Sequence, residues 1–219
     1  MKIVDKEQWN RKIAYNTFIG YSDPTFSITT RLDVTQLYNR CKNEGASFFT
    51  DFLYVVMRCL NGIDEFKTRI KGDDVILYDS IDPSFIIMKE DDSITDGRIK
   101  MTDDYPEFYN RVRNEIETVK EEDSNKDKMN ESQTSDVIYI SCLPWMDFTS
   151  IAHPYDHPDK ESSSIPRVTW GMAVENGERR TMAFDISAHH SLMDGYHITK
   201  AVRCIQKALD NPTYFDDLI

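Results

Sequence analysis

Residues 181–198 read Thr-Met-Ala-Phe-Asp-Ile-Ser-Ala-His-His-Ser-Leu-Met-Asp-Gly-Tyr-His-Ile, and their hydrophobic period changes part-way along. As far as Ala188 every second side chain is apolar, which is typical of a half-buried strand. From Ile198 to Leu209 the apolar residues recur at the spacing of one helix face. Asp194 is a favoured N-cap residue and stands where that helix should begin. The stretch predicts a strand, a short turn and a capped helix.

His190 lies in this predicted turn and continues the apolar row of the strand, so we expect its ring to point inward. An inward histidine close to a carboxylate is a candidate general base, although most buried histidines are structural. His190, Asp194 and His197 also have the spacing of metal ligands on a helix. A helix that starts at Asp194 leaves His190 outside it, so we expect no metal. His153 and His157 stand among prolines and are expected in a surface loop.

The composition limits the function classes. The 219 residues include 26 basic and 38 acidic side chains, for a net charge of −12, which argues against binding to nucleic acid or to an anionic membrane. The N-terminus lacks the apolar core of a signal peptide, and no apolar stretch is long enough to span a bilayer. We therefore expect a cytoplasmic protein whose four scattered cysteines are reduced, structural thiols.

Periodicity and turn signals predict an α+β fold. Helices are expected over 7–18, 35–42, 48–61, 108–119 and after Asp194. Strands are expected over 25–34, 66–70, 74–78, 82–88, 137–143, 167–174 and 180–188. The charged run 120–136 is predicted to be solvated, and 149–166 to form a long loop. These elements predict one domain over 1–219, a two-layer sandwich in which helices cover one face of a mixed sheet.

Common catalytic motifs are missing. Neither glycine-rich phosphate-binding pattern is present, and no G-x-S-x-G nucleophile motif occurs. Ser141 lies in a predicted buried strand, where its hydroxyl is either a satisfied core group or a donor to a developing oxyanion.

Residues 189–195, His-His-Ser-Leu-Met-Asp-Gly, form an H-H-x-x-x-D-G motif that resembles the active-site signature of the chloramphenicol acetyltransferase family. Dihydrolipoyl acyltransferases and peptide-synthetase condensation domains share the motif but are built as longer chains. Residues 9–12, 26–30 and 141–145 also resemble segments of the family, in the same order and at similar spacing. The resemblance covers nearly the whole chain.

The resemblance implies a homotrimer with active sites between subunits, in which acetyl-CoA is the cosubstrate and no metal takes part. The catalytic residues it implies are His190 as general base and Ser141 as oxyanion donor. Asp194 and Arg11 match an ion pair that holds the histidine turn. Trp145 matches a residue beside the coenzyme channel, Thr169 one that binds a water, and Phe26 an aromatic wall of the acceptor pocket.

The resemblance is weakest in the acceptor pocket. Phe18 replaces an expected tyrosine, and polar or charged residues stand where aromatic or aliphatic lining is expected: Thr17, Lys128 and Arg167. Pocket selectivity depends on shape and on unpaired polar groups, so these changes bear on which acceptor fits. The sequence predicts acetyl transfer to a hydroxyl of chloramphenicol or a similar small molecule. Two alternatives stay open: another small hydroxyl acceptor, or an inactive homologue that only binds its ligand.

Overall fold

The structure is a computed structural model, and it describes residues 1–121, 134–211 and 213–214. Its strands are β1 (Lys2–Ile3), β2 (Thr25–Asp33), β3 (Thr68–Lys71), β4 (Asp74–Leu77), β5 (Asp82–Met88), β6 (Ile94–Arg98), β7 (Val137–Cys142), β8 (Arg167–Asn176) and β9 (Arg179–His189). Its helices are α1 (Lys12–Phe18), α2 (Thr35–Glu44), α3 (Phe48–Asn61), α4 (Tyr105–Glu121), α5 (Lys160–Ser163) and α6 (Gly195–Leu209). No helix among these described residues is both long and apolar enough to cross a membrane.

A mixed six-stranded sheet forms the centre of the fold, in the order β2-β9-β8-β7-β5-β6. Strands β5, β7 and β8 run parallel to one another, and the other pairs are antiparallel. A separate sheet has the order β1-β4-β3. The α+β architecture predicted from the sequence is confirmed, and so is the hairpin at Asn176-Gly177, where Gly177 takes a left-handed conformation.

The two faces of the large sheet differ in chemistry. Alternate residues of β2, β7, β8 and β9 enter the apolar core, where Trp170 packs against Phe52 with ring centroids 4.9 Å apart. Helix α3 supplies much of the opposing layer, and ten of its residues are buried. The other face is polar, and one of its rows consists of Ser141, Thr169, Asp185 and Thr29 on four successive strands. We call this face the polar face.

Several local predictions are wrong for identifiable reasons. The helix predicted over 7–18 begins only at Lys12, because the Asp5 carboxylate accepts from the backbone of Glu7 and Gln8 and forms a turn instead. Strand β6 was not predicted, because its sequence Ile-Thr-Asp-Gly-Arg is mostly polar. The strand lies at the edge of the large sheet. Strand β1 is only two residues long, and the short helix α5 falls inside the predicted loop 149–166.

Residues 122–133 of the charged run 120–136 lie outside the described residues, and the prediction of a solvated run does not hold at Ser135. Ser135 is buried, and its carbonyl accepts from Nε of Arg69 at 2.7 Å. Arg69 is itself fully buried and donates to four backbone carbonyls in all. This arginine ties β3 to the chain that leads into β7, and its buried charge is compensated by carbonyl dipoles.

The cysteine prediction is corrected by a disulfide between Cys59 of α3 and Cys204 of α6, with Cα atoms 5.8 Å apart. Spacing along the chain could not show this pair, because 145 residues separate the two cysteines. Cys41 and Cys142 are free thiols, as expected. The crosslink joins the buried helix α3 to the helix that follows His190.

Reducing this disulfide is expected to lower the free energy of unfolding by about 2–5 kcal/mol, since the crosslink closes a long loop in the unfolded chain. Urea unfolding with and without dithiothreitol measures the change. Cys204→Ser should match the reduced protein and be insensitive to reductant, whereas Cys41→Ser should stay reductant-sensitive. Titration of four free thiols in the untreated, denatured protein would contradict the crosslink.

Candidate active site

His190 follows β9 directly and is fixed by main-chain and ring contacts. Its backbone N–H donates to the carbonyl of Pro24 at 2.8 Å. Its imidazole stacks on Phe18 with ring centroids 4.0 Å apart. It also contacts the tilted ring of Phe26, with centroids 4.6 Å apart. Nδ1 is buried without a hydrogen-bond partner among the described residues, so Nε2 is the ring nitrogen left to meet a substrate. The predicted inward direction agrees with the contact to Phe26, which belongs to the core-facing row of β2.

Arg11 connects the start of the chain to the histidine turn. Its Nη1 donates to Oδ2 of Asp194 at 2.9 Å, and its Nη2 donates to the carbonyl of His190 at 3.2 Å. The guanidinium side chain is only 7% exposed, whereas Asp194 is 40% exposed. Burial raises the pKa of Asp194, but the Arg11 hydrogen bond and the neighbouring His197 outweigh it and bring that pKa below its usual value. One arginine therefore holds both ends of the turn.

Asp194 is also the N-cap of α6, as predicted. Its carboxylate accepts from the backbone of Tyr196 at 3.0 Å, and its own N–H donates to Nδ1 of His197 at 3.2 Å. Nε2 of His197 lies 3.2 Å from a carboxylate oxygen of Glu65. His197 is thus a structural brace between the helix start and Glu65. No group of three potential metal ligands occurs in the described part of the chain.

His189, the first histidine of the motif, faces the opposite way from His190. It is buried, and its Nδ1 accepts from the backbone of Ser191 at 3.2 Å. Burial, followed by the charges of Lys160 and His157, lowers the pKa of His189 to about 4. A neutral histidine suits this position, where it shapes the turn.

Thr169 and Ser141 lie side by side on the polar face, in register on β8 and β7. The hydroxyl of the fully buried Thr169 lies 3.1 Å from Nε2 of His153. The predicted loop around His153 has no helix or strand and several exposed residues, as expected, but the half-buried His153 ring contacts the polar face. Burial and then the positive charge of Arg167 lower the pKa of His153. Sequence reasoning missed this residue, since only the fold brings it to Thr169.

Trp145 stands just after β7 and is 64% exposed. Backbone hydrogen bonds attach the segment that carries Trp145 to β8. The N–H of Leu143 donates to the carbonyl of Trp170 at 2.9 Å, and the N–H of Met172 donates to the carbonyl of Met146 at 2.8 Å. This close approach requires Gly171, because an added Cβ would lie 2.7 Å from the Met146 carbonyl oxygen. Trp145 and Ser141 line an open cavity of about 870 Å³, whose apolar lining includes Phe48, Phe49 and Trp170.

His190 and Ser141 are not brought together within one chain. Ser141 is in register with Asp185, two strands away, which places their Cα atoms roughly 10 Å apart. His190 lies five residues beyond Asp185, or about 17 Å along the strand direction. The resulting separation, on the order of 20 Å, exceeds what the two side chains can bridge around one reacting carbon. Within one chain, the predicted site residues therefore fall into two separate groups.

The altered acceptor residues have different positions. Phe18 lies on His190, while Thr17 is exposed on α1 and donates to the carbonyl of Ile13 at 2.8 Å. Arg167 lies on the polar face, two residues before Thr169. Lys128 lies outside the described residues. Phe18 and Phe26 therefore lie with His190, whereas Thr169 and Trp145 lie with Ser141.

Comparison with known proteins agrees with this geometry. The family model described as chloramphenicol acetyltransferase matches residues 1–206. A chloramphenicol acetyltransferase of Staphylococcus aureus is 28% identical over 211 residues, which cover 95% of each chain. One of Proteus mirabilis is 26% identical over 209 residues, which cover 95% of this chain and 94% of that one.

Solved structures give the same relationship. A chloramphenicol acetyltransferase superimposes with a TM-score of 0.84 and 28% identity, covering 94% of this chain and 98% of that one. The truncated catalytic core of a 2-oxoacid dehydrogenase complex from Thermoplasma acidophilum has a TM-score of 0.66 at 17% identity, covers 97% of this chain and 99% of that one, and shares the fold. The family match spans nearly the whole chain, and the chain belongs to the chloramphenicol acetyltransferase family.

Proposed function

We propose that this protein is an acetyl-CoA-dependent O-acetyltransferase that acts on a hydroxyl of chloramphenicol or a similar small molecule. The observation that carries the proposal is the position of His190. Its ring is held between Phe18 and Phe26, and its turn is fixed by the Arg11–Asp194 ion pair. This arrangement is what a positioned general base requires, and it occurs in a chain of the chloramphenicol acetyltransferase family.

The proposed reaction is a direct transfer. Nε2 of His190 takes the proton of the acceptor hydroxyl as that oxygen attacks the thioester carbonyl of acetyl-CoA. The C–O bond forms, and the carbonyl oxygen becomes an oxyanion. The tetrahedral species then expels the coenzyme thiolate, which recovers the proton from His190. No acyl-enzyme forms, so the reaction needs no serine or cysteine nucleophile.

Ser141 is proposed to donate its hydroxyl hydrogen bond to that oxyanion. The cavity lined by Trp145 and Ser141 suits the acetyl-CoA arm, because its lining is mostly apolar and includes the Ser141 hydroxyl. Thr169, which lies beside Ser141 in register, is proposed to hold a water near the reacting centre. Phe26 and Phe18 form the aromatic wall against the acceptor, and exposed Thr17 lies at the rim.

A homotrimer with sites between subunits is part of the proposal. The separation of His190 from Ser141 supports it, because a complete site needs the histidine of one copy and the serine of another. Exposed apolar side chains close to the cavity also support it, since contiguous apolar surface is usually covered. They are Ile86, Met88, Ile94, Trp145, Met146 and Met172.

We further propose that residues 1–219 act as one domain and that the enzyme works in the cytoplasm, where its thioester substrate is made. The Cys59–Cys204 disulfide is unusual for that compartment. Of the two alternatives, a different small acceptor is favoured by Arg167 on the polar face. An inactive binding protein is disfavoured, since the His190 and Ser141 side chains and the Arg11–Asp194 pair are all present.

His190→Ala is expected to lower kcat on the order of a thousandfold, because the base that takes the acceptor proton is lost. His190→Gln should be equally impaired, since an amide keeps a polar side chain but cannot accept the proton. Release of coenzyme thiol with chloramphenicol and acetyl-CoA measures turnover. Circular dichroism and thermal unfolding should match the wild type. Turnover near the wild-type rate in either variant would remove His190 from the mechanism.

Asp194→Asn should keep the helix cap, because asparagine caps as well as aspartate, but remove the charge that pairs with Arg11. We expect a stability loss of about 1–2 kcal/mol, limited by the partial exposure of Asp194. Activity should fall in kcat more than in KM, since the histidine turn loosens. Asp159→Asn is the matched control, as Asp159 caps the short helix α5. Equal effects in the two variants would contradict the positioning role.

Mixing His190→Ala and Ser141→Ala chains tests the shared site. If each site combines two copies, random reassembly of the two inactive variants should restore about a quarter of wild-type activity, because one in four interfaces has both residues intact. Each variant refolded alone should stay inactive. A mixture no more active than its parts would place both residues in one chain's own site.

A further inference from the structure

Arg167 occupies an unusual place on the polar face. Its guanidinium carbon lies 3.6 Å from the centroid of the Tyr155 ring and 5.9 Å from that of Tyr139. It is half-buried, and one of its N–H groups donates to the carbonyl of Pro154. Two tyrosine rings and a backbone contact therefore hold the planar group in a defined orientation.

No carboxylate of the described residues forms an ion pair with Arg167. The buried carboxylate on the same face belongs to Asp185, and it already accepts from Thr29 at 2.7 Å and Ser187 at 3.1 Å. Arginine stays charged under all ordinary conditions, and cations removed from water are normally paired. A guanidinium has five N–H donors. Because Arg167 is fixed in place but has no carboxylate partner among the described residues, it keeps N–H donors for another molecule.

The position of Arg167 relates it to the Ser141 half of the proposed site. It is two residues before Thr169 on the same face of β8, and it is in register with Ser187 of β9. Its Cα therefore lies roughly 8 Å from that of Ser141. After burial, the charge of Arg167 is the next cause of the lowered pKa of His153, whose Nε2 lies 3.1 Å from the Thr169 hydroxyl.

We propose that Arg167 binds a carboxylate on the acceptor, so that the preferred substrate is a small hydroxy compound with a negative charge. The inference rests on the proposed acetyl transfer and specifies its acceptor. A planar guanidinium held between rings matches a carboxylate in a two-pronged contact. The acceptor hydroxyl still meets His190, and the bonds that form and break are those of the proposed reaction.

Two acceptors of nearly equal shape separate charge from size: 4-(hydroxymethyl)benzoate and 4-(hydroxymethyl)benzamide. The wild type should acetylate the benzoate with at least about tenfold higher kcat/KM, measured by release of coenzyme thiol. Arg167→Leu and Arg167→Gln should lower the benzoate value about 10- to 100-fold and change the benzamide value little. Arg31→Leu is the control, because Arg31 stands on the same face and is paired with Asp147.

Binding measurements keep the inference separate from the proposed activity. If the wild type releases no thiol with chloramphenicol or with either alcohol, the proposed function fails. The role of Arg167 is then tested by the shift in melting temperature that 4-(hydroxymethyl)benzoate causes, compared with the shift caused by the benzamide. Stabilisation by the benzoate that Arg167→Leu abolishes and Arg31→Leu keeps would support the inference. Equal kcat/KM values for the benzoate and the benzamide in the wild type would overturn the inference. It would also be overturned if the only effect of Arg167→Leu were dissociation of the oligomer, because the guanidinium would then be a contact between copies.

Discussion

The pairing of β9 with β2 on one side and β8 on the other is the constraint on which the rest of the structure depends. Because β9 has a paired strand on each side, its alternation sets both faces of this part of the sheet at once. Met182, Phe184, Ile186 and Ala188 go to the core, while Asp185 and Ser187 go to the polar face. A slip of one residue in this register would bury Asp185 in the apolar layer and turn Phe184 outward. The same register places His190 where β9 ends, beside Pro24.

The turn after β9 is short, so little of its shape comes from its own sequence. Arg11 holds it from 183 residues away along the chain, and Asp194 serves two purposes, as a cap for α6 and as the anion for Arg11. A half-exposed surface ion pair contributes little to stability in general. Here the arginine is buried and also binds the His190 carbonyl, so the pair contributes mainly to the position of the imidazole.

The sequence predicted what depends on local periodicity and capping. The hairpin at Asn176-Gly177, the buried helix α3 and the cap at Asp194 follow from patterns a few residues long. It missed what depends on contacts distant along the chain. Strand β6 has no apolar alternation and exists because β5 supplies its hydrogen-bond partners. The Cys59–Cys204 bond and the contact of His153 with Thr169 require the folded chain, and spacing could not reveal either.

The candidate site also depends on distances that cannot be obtained from the sequence. The motif identified His190 and Asp194, the predicted strand over 137–143 contained Ser141, and the resemblance implied their roles, but none of these gave the distances between the residues. The strand register places His190 and Ser141 of one chain too far apart to act on the same reacting carbon. This separation is why the proposed site combines two copies, with aromatic rings on the His190 side and polar groups on the Ser141 side. Arg167 lies on the Ser141 side, two residues before Thr169, so its positive charge bears on the proposed acceptor while the His190 turn keeps its own contacts to Arg11 and Phe18.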